Sequence, residues 1–208
     1  MCGIVGYIGT KNCAPLIVNA LKRLEYRGYD SAGVAVIAHQ KLTVHKKAGK
    51  VSELVALVDA NPMVGTIGIG HTRWATHGAP TDLNAHPHTD QHGRFAMIHN
   101  GIVENYSTIK QRLQREGWEF KTQTDTEVLV QLISFFYDKV HDFETAVRLG
   151  LKEVEGAYGI AIICTDEPDK LIAARKGSPL VVGLGDDEFI IASDASAIVS
   201  HTRQVVYL

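Results

Sequence analysis

Cys2 occupies a chemically distinctive position in this 208-residue sequence, because only the initiator methionine precedes it. This methionine is normally removed when the next side chain is small, and its removal leaves a thiol and a free α-amine on one residue. An α-amine has a pKa of about 7.7–8.0 and suits a general base at neutral pH. The thiol, with a pKa of about 8.5, is partly ionised and strongly nucleophilic. A terminal Cys2 would thus be both nucleophile and base; the alternative is that its position has no functional meaning.

Histidines are concentrated in one part of the chain, where six of the ten fall between residues 71 and 99. A metal site is one interpretation, because His86 and His88 form a His-x-His pair that Asp90 or Asp125 would complete. Against it, the intervening proline restricts the backbone, and there is neither an HExxH motif nor a cysteine partner. The alternative for each ring is a hydrogen-bonded structural role. The six histidines are His71, His77, His86, His88, His92 and His99.

Residues 100 and 101 follow a predicted strand and are suited to stabilising an oxyanion. The Asn100 amide and the Gly101 backbone N–H would converge there, and one such donor typically contributes about 2.7–4 kcal/mol to a transition state. The alternative is an ordinary Asn-Gly turn. Arg73 is suited to pairing with a substrate carboxylate and Asp125 to binding a substrate ammonium. Surface ion pairing or helix capping are the competing explanations for these two residues.

The apolar pattern predicts the elements that must position these residues. Strands and helices occur in blocks, which favours an α+β fold with antiparallel sheets in one domain. The polar segment 72–94 exceeds the usual loop limit of about 12–15 residues, which indicates either a functional or a disordered segment. Predicted strands cover residues 2–9, 33–38, 42–46, 66–71, 95–99, 158–165, 170–175, 180–185, 189–193 and 204–208. Predicted helices cover residues 14–25, 51–58, 108–115, 126–140 and 144–154, the fourth capped by Asp125 or Thr126.

Composition and charge argue against several classes of protein. Apolar residues make up 45% and the net charge is −2, so the chain is globular and lacks the basic excess of a nucleic-acid-binding protein. There is no apolar run of membrane-spanning length and no secretory signal, which predicts a cytoplasmic protein without membrane contact. Three cysteines without a CxxC motif argue against a disulfide framework, and Cys13 and Cys164 are expected to be structural. The apolar final segment indicates a domain cut from a longer protein.

Three segments of the sequence form recognisable motifs. They are Met1-Cys2-Gly3-Ile4-Val5-Gly6, Leu24-Glu25-Tyr26-Arg27-Gly28-Tyr29-Asp30-Ser31-Ala32-Gly33 and His71-Thr72-Arg73-Trp74-Ala75-Thr76-His77-Gly78. The first motif resembles that of the class II glutamine amidotransferases, which are N-terminal-nucleophile hydrolases that release ammonia from glutamine. The second and third motifs are similar to those of the glutaminase domain of glucosamine-6-phosphate synthases, the isomerising glutamine:fructose-6-phosphate aminotransferases. Phosphoribosyl-pyrophosphate amidotransferases and asparagine synthetases share the terminal Cys-Gly and the Asn-Gly pair but generally lack the Arg-Trp-Ala-Thr-His-Gly block.

The resemblance implies a fold and a set of site residues. The implied fold is a four-layer αββα sandwich, with two antiparallel sheets between helical layers. Cys2 would be the nucleophile, and Asn100 and Gly101 would form the oxyanion hole. Arg73 would hold the α-carboxylate of glutamine and Asp125 its α-ammonium. The other implied substrate-binding residues are Arg27 and Gly28 near the nucleophile, Thr76 and His77 in the loop with Arg73, and Trp74, which would cover the site when that loop closes.

The resemblance also implies a reaction and its partners. L-Glutamine would be hydrolysed to glutamate and ammonia through a γ-glutamyl thioester on Cys2, without a cofactor or a metal. In a full-length, homo-oligomeric enzyme, the ammonia would pass to a C-terminal sugar isomerase half that converts fructose 6-phosphate to glucosamine 6-phosphate. Residues 1–208 would be the glutamine amidotransferase type-2 domain without that half. Two alternatives stay open: the same domain serving another acceptor, and a histidine-rich metal-binding or regulatory module.

Overall fold

The computed structural model describes residues 2–74 and 78–208, which form two antiparallel β-sheets packed face to face. The strands are β1 (Gly3–Ile8), β2 (Ser31–Ala38), β3 (Lys41–Ala48), β4 (Ile67–Arg73), β5 (His88–Thr89), β6 (Phe95–Val103), β7 (Gly156–Cys164), β8 (Leu171–Lys176), β9 (Val181–Gly185), β10 (Glu188–Ala192) and β11 (Val205–Tyr207). The strand order is β11-β9-β10-β1-β4-β2-β3 in the larger sheet and β5-β6-β7-β8 in the smaller one. Across the described residues, no helix is long and apolar enough to cross a membrane.

Helices cover the outer face of each sheet. They are α1 (Cys13–Leu24), α2 (Val51–Ala60), α3 (Tyr106–Arg115), α4 (Asp125–Val140) and α5 (Phe143–Lys152). The first two pack on the larger sheet, while α4 contacts the smaller sheet and is flanked by α3 and α5. Buried apolar side chains fill the space between the two sheets and the space beneath each helical layer. This arrangement confirms the α+β prediction and the four-layer αββα sandwich.

The register of β1 against β4 explains why the start of the chain meets residues 70 positions later. The two strands are antiparallel, and Gly3 is paired with Thr72. The N-terminal end of β1 therefore lies beside the C-terminal end of β4, where Arg73 ends the strand and Trp74 follows it. Cys2, which directly precedes β1, is placed next to Trp74 by this pairing alone.

The polar Asn-Gly pair lies inside β6 rather than after a strand. The ladder between β6 and β7 continues through Asn100 and Gly101 as far as Val103, which is paired with Gly156. The alternative of an Asn-Gly turn is therefore wrong, and the predicted strand end at residue 99 is too early. The reason is that pairing with a long neighbouring strand outweighs the local turn preference of these two residues.

The start of α4 differs from the prediction by one residue. Thr124 is the N-cap, and its side-chain hydroxyl accepts a hydrogen bond from the backbone N–H of Glu127 at 3.2 Å. Asp125 and Thr126 are the first helical residues instead of the cap. This frees the Asp125 carboxylate from a capping role, because a capping residue must satisfy the free N–H groups of its own first turn.

Cys13 and Cys164 are buried, free thiols, which confirms that both are core residues. Cys13 begins α1, which lies so close to the larger sheet that glycine is needed opposite it. A Cβ atom at Gly70 would lie 2.4 Å from Ile17 Cγ2, and one at Gly68 would lie 2.9 Å from Cys13 Sγ. The close approach of α1 to β4 thus depends on glycines in the strand.

Candidate active site

A cavity of about 300 Å³ lies where Cys2 meets the C-terminal parts of β4 and β6 and the N-terminus of α4. Most of the residues predicted for the site line it. Those lining the cavity are Cys2, Arg27, Arg73, Trp74, Asn100, Gly101 and Asp125. The predicted residues Thr76 and His77 lie outside the described residues. The cavity is also lined by residues that the prediction did not include, namely His71, His86, His99, Ile102, Thr124, Thr126, Ser178 and Pro179.

The Cys2 thiol lies at the cavity wall beside the backbone of Trp74. Its sulfur accepts a hydrogen bond from the Trp74 N–H at 3.1 Å, and it lies 3.5 Å from the Trp74 carbonyl oxygen. Burial raises the pKa of the thiol above its usual value, while this N–H and the positive charge of an N-terminal amine act in the opposite direction. The thiol is therefore partly desolvated, with donors nearby that favour its ionised form.

The Asn100 carboxamide is oriented by two partners that allow only one assignment of its nitrogen and oxygen. The Cys2 carbonyl oxygen can only accept, so the amide atom 3.0 Å away is the Nδ2 donor. The other amide atom is then an acceptor, and His71 Nε2 donates to it at 2.8 Å. Burial lowers the pKa of His71 to about 3, so its ring is neutral and carries the proton on Nε2. His71 thus holds the amide nitrogen toward Cys2.

Gly101 is required by the close approach of β7. Its φ is +133°, and an added Cβ would lie 2.0 Å from the Ala157 carbonyl oxygen. On the other side of the strand backbone, the hydroxyl of Ser178 donates to the Asn100 carbonyl oxygen at 3.2 Å. Ser178 follows β8 in a segment whose sequence indicates only a turn, so no sequence signal pointed to its place in the cavity wall.

Arg73 is buried at the end of β4, and its guanidinium binds backbone carbonyl groups of the following segment. Nη2 donates to the Gly78 oxygen at 3.2 Å and Nη1 donates to the Ala79 oxygen at 3.3 Å. Nη1 also lies 4.0 Å from the Asp30 carboxylate. A guanidinium has five N–H donors in a fixed plane, so these contacts orient it while the group still faces the cavity.

Asp125 lines the cavity from the first turn of α4. Its Oδ2 accepts a hydrogen bond from the Val103 N–H at 2.9 Å and lies 3.9 Å from His99 Nδ1. The hydrogen bond joins α4 to the end of β6, which places the carboxylate beside the strand that carries Asn100. The cavity is therefore lined both by a cationic residue from β4 and by an anionic residue from α4.

Arg27 and Trp74 line the cavity, and Gly28 lies against the Trp74 indole. Arg27 Nη1 donates to the Ser193 carbonyl oxygen at 3.1 Å and lies 3.6 Å from the Asp194 carboxylate. Gly28 has a φ of +91°, and a Cβ there would be 2.7 Å from Trp74 Cε3. Trp74 is 57% exposed. Gly28 thus makes room for the indole and is not itself among the residues that line the cavity.

The buried histidines in and next to the cavity wall are packed against one another. The rings of His71 and His86 stack at 4.3 Å between centroids, and His86 meets His88 edge-on at 4.7 Å. The His99 N–H donates to His86 Nδ1 at 3.3 Å. Burial keeps the pKa of His86 and His88 well below the usual range, so both rings are neutral. In the part of the chain that the structure describes, no three histidine, cysteine, aspartate or glutamate side chains are grouped to hold a metal ion.

Comparison with known proteins identifies the family. Residues 58–207 match the model of the glutamine amidotransferase domain. The chain belongs to this family. The amidotransferase domain is 58% identical over 212 residues to the glutamine–fructose-6-phosphate aminotransferase (isomerizing) of Bacteroides thetaiotaomicron, covering 100% of this chain and 34% of the relative. It is 57% identical over 213 residues to the protein of the same name from Chlorobaculum tepidum, with the same coverage.

A solved structure supports the same assignment. The glutamine phosphoribosylpyrophosphate amidotransferase of B. subtilis, complexed with ADP and GMP, superimposes with a TM-score of 0.84 at 29% identity. The match covers 100% of the amidotransferase domain and 44% of that chain. The domain spans about a third of the length of the curated relatives that it matches.

Proposed function

We propose that this chain hydrolyses the side-chain amide of L-glutamine to glutamate and ammonia, with Cys2 as the nucleophile. The proposal rests on one cavity of a glutamine amidotransferase domain, which is lined by a thiol, an oriented carboxamide, a guanidinium and a carboxylate. Glutamine brings complementary groups, namely an electrophilic amide carbon, an α-carboxylate and an α-ammonium. The family membership supplies the reaction class, and the cavity residues supply the individual roles proposed below.

The first step is the attack of Cys2 on the amide carbon. Removal of Met1 would give Cys2 a free α-amine, which takes the thiol proton as the thiolate forms a bond to the carbon. A protonated amine on the same residue also lies closer to the sulfur than an amine one residue earlier. Because a nearby positive charge lowers the pKa of a thiol, it offsets the effect of burial on Cys2.

Asn100 and Gly101 are the proposed oxyanion hole. The carbonyl oxygen of the substrate becomes negatively charged when the sulfur–carbon bond forms, and preorganised N–H donors stabilise that charge. Asn100 Nδ2 already faces the Cys2 backbone at 3.0 Å, and His71 prevents the amide from turning. The backbone N–H of Gly101 is the second proposed donor.

The tetrahedral intermediate then collapses in the direction of ammonia release. The protonated amine of Cys2 donates its proton to the leaving nitrogen as the carbon–nitrogen bond breaks, and a γ-glutamyl thioester is left on Cys2. The same amine then accepts a proton from water as water attacks the thioester carbon. Cleavage of the sulfur–carbon bond releases glutamate and restores the thiol.

Recognition of glutamine is assigned to the charged residues of the cavity and to Arg27, Gly28 and Trp74. Arg73 binds the α-carboxylate and Asp125 the α-ammonium, because each brings the opposite charge to the same cavity. Arg27 and Gly28 contribute near the nucleophile, and Trp74 covers the bound substrate to limit access of water before the thioester forms. Thr76 and His77 are proposed to complete the substrate contacts.

In the whole protein, we propose that the ammonia is used by a further domain of the same polypeptide. The curated relatives are about three times as long as this chain and are named glutamine–fructose-6-phosphate aminotransferases. By this proposal, a C-terminal isomerase domain converts fructose 6-phosphate to glucosamine 6-phosphate in a homo-oligomeric, cytoplasmic enzyme. The identity of 58%, against 29% to a phosphoribosylpyrophosphate amidotransferase, favours this acceptor over that of another class II amidotransferase.

Intact mass and chemical labelling of the purified chain test the proposed function. We expect loss of the mass of methionine and stoichiometric labelling at Cys2 by an electrophilic glutamine analogue. Cys2→Ala should lose both labelling and glutaminase activity, whereas Cys164→Ala, which removes a buried core thiol, should keep both. Full activity with Met1 retained, or in the Cys2→Ala variant, would falsify the mechanism.

A further inference from the structure

Asn84 is a buried residue between β4 and β5 that does not line the cavity. It connects the segment after β4 with the segment that leads into α4. Its Nδ2 donates to the Ala79 carbonyl oxygen at 3.0 Å, and its Oδ1 accepts from the Gln123 N–H at 3.1 Å. Ala79 belongs to the segment that follows β4. Gln123 lies two residues before Asp125, at the entrance to α4. One carboxamide thus joins the segment bound by Arg73 to the entrance of the helix that carries Asp125.

The Ala79 carbonyl oxygen is shared between Asn84 and the proposed carboxylate-binding arginine. Arg73 Nη1 donates to this oxygen at 3.3 Å, while the Thr81 N–H donates to it at 2.9 Å. The oxygen is therefore held by donors from the strand end, from the segment itself and from Asn84. Because the guanidinium binds this oxygen, its position depends on where Asn84 keeps the carbonyl group.

A carboxamide is the side chain that satisfies both partners of Asn84. The amide donates to the Ala79 oxygen and accepts from the Gln123 N–H, whereas a carboxylate supplies acceptors only. The space around the amide is also limited, since a Cβ at Gly78 would lie 2.8 Å from Asn84 Nδ2. The geometry therefore favours asparagine here through its hydrogen-bonding pattern and not only through its volume.

Lys46 of β3 holds the backbone on both sides of Asn84. Its Nζ donates to the carbonyl oxygens of Leu83 and Ala85 at 2.9 Å each. Burial lowers the pKa of Lys46 to about 8, which is consistent with an ammonium group surrounded by backbone carbonyls rather than by solvent. The main chain at Asn84 is thereby attached to the larger sheet, which helps to fix the position of the Asn84 amide.

We infer that Asn84 is a positioning residue for the recognition of glutamine, setting the separation between the Arg73 guanidinium and the Asp125 carboxylate. The inference rests on the proposed function. The α-carboxylate and α-ammonium of an amino acid are attached to one carbon, so their two partners must be held at one matching distance. A misplacement of about 1 Å at an active site can cost about 10²-fold in rate or affinity.

Kinetics of the 208-residue chain test this inference. The variants are Asn84→Ala, which removes both hydrogen bonds, and Asn84→Asp, which keeps the size and the acceptor but loses the donor. Asn105→Ala is the matched control, because Asn105 also bridges a carbonyl and an N–H, those of Glu153 and Glu155, without lining the cavity. Folding of each variant is checked by thermal unfolding. The test needs only one of the two Asn84 variants to be folded.

We expect both Asn84 variants to raise KM for glutamine about tenfold or more, with kcat changed less than about threefold. Cys2 should react more slowly with a subsaturating electrophilic glutamine analogue but at an unchanged rate with iodoacetamide, which has no charged groups. In the Arg73→Ala, Asn84→Ala double variant, the effects on KM should not multiply, because both changes disturb one contact.

Three results would overturn the inference: an unchanged KM, effects that multiply in the double variant, or an equal rise in KM in Asn105→Ala. Each of these presupposes a wild-type chain that hydrolyses glutamine. If the wild-type chain neither hydrolyses glutamine nor reacts with the analogue, the proposed function itself is wrong. The two failures are therefore distinguished by the wild-type measurement.

Discussion

Replacement of His71 by leucine should remove the contact that orients the Asn100 carboxamide beside Cys2. His71 Nε2 lies 2.8 Å from Asn100 Oδ1, and Asn100 Nδ2 lies 3.0 Å from the Cys2 carbonyl oxygen. Leucine retains an apolar volume but provides no donor, so the amide oxygen loses its partner at a cost of about 1–3 kcal/mol. The amide can then turn, and the loss of one oxyanion donor lowers kcat by about 10²–10³-fold.

The assay is steady-state release of glutamate from glutamine, with thermal unfolding to establish that each variant is folded. We expect kcat to fall by about 10²-fold in His71→Leu while KM changes little, because Arg73 and Asp125, the residues proposed to bind the substrate, are untouched. His71→Gln is the control, since its amide N–H can take the place of Nε2–H and should restore most of kcat. A folded His71→Leu protein with kcat within about threefold of wild type would refute the assigned role of His71.

Three further predictions concern substrate binding, pH and the backbone. Arg73→Ala should raise KM by about 10–100-fold through loss of a charged hydrogen bond, and a fall in kcat alone would contradict the carboxylate role. Because burial lowers the pKa of His71 from 6.5 to about 3, the unfolded chain binds more protons between these values. The contribution of neutral His71 to the free energy of unfolding is complete above pH 6.5 and declines as pH falls toward 3, by up to about 1.4 kcal/mol per pH unit. The free energy of unfolding, measured with urea at pH 7 and at pH 5, should therefore decline less in His71→Gln than in the wild type. Gly101→Ala should lower Tm far more than Gly93→Ala, because the new Cβ would lie 2.0 Å from the Ala157 oxygen, whereas nothing lies within 4 Å at Gly93. Equal Tm values, measured by circular dichroism, would show that β7 can move away.

Most elements of the sandwich were predictable because their patterns are local. Alternation and continuous apolar runs give ten of the strands, and helical spacing gives α1 to α5, with ends displaced by only a few residues. The short strand β5 was not predicted, because it lies in the polar segment 72–94 and is defined by its pairing with β6. The two errors at the site have one cause. The end of β6 and the cap of α4 depend on a partner strand and on the Thr124 hydroxyl, and tertiary contacts outweigh local preference there.

The residue types of the proposed chemistry were also evident from the sequence. The proposed roles follow from the functional groups of Cys2, Arg73, Asn100 and Asp125. The sequence motifs of the chain also resemble those of one family. The residues that hold these groups in place were not evident. His71 was one of several histidines without an assigned role, and nothing in the sequence distinguished Asn84 within the long polar segment 72–94.

The sequence by itself indicated the fold class, the family and the proposed nucleophile, because periodicity, motifs and a residue's chemical type are properties of the chain. Only the tertiary structure decided which groups meet. The bond between His71 and Asn100 spans 29 positions, and that between Asn100 and Cys2 spans 98. Such contacts depend on the register of β1 against β4 and on the packing of one sheet over the other. Hydrogen bonds require donor and acceptor within about 3 Å, which no spacing along the chain specifies.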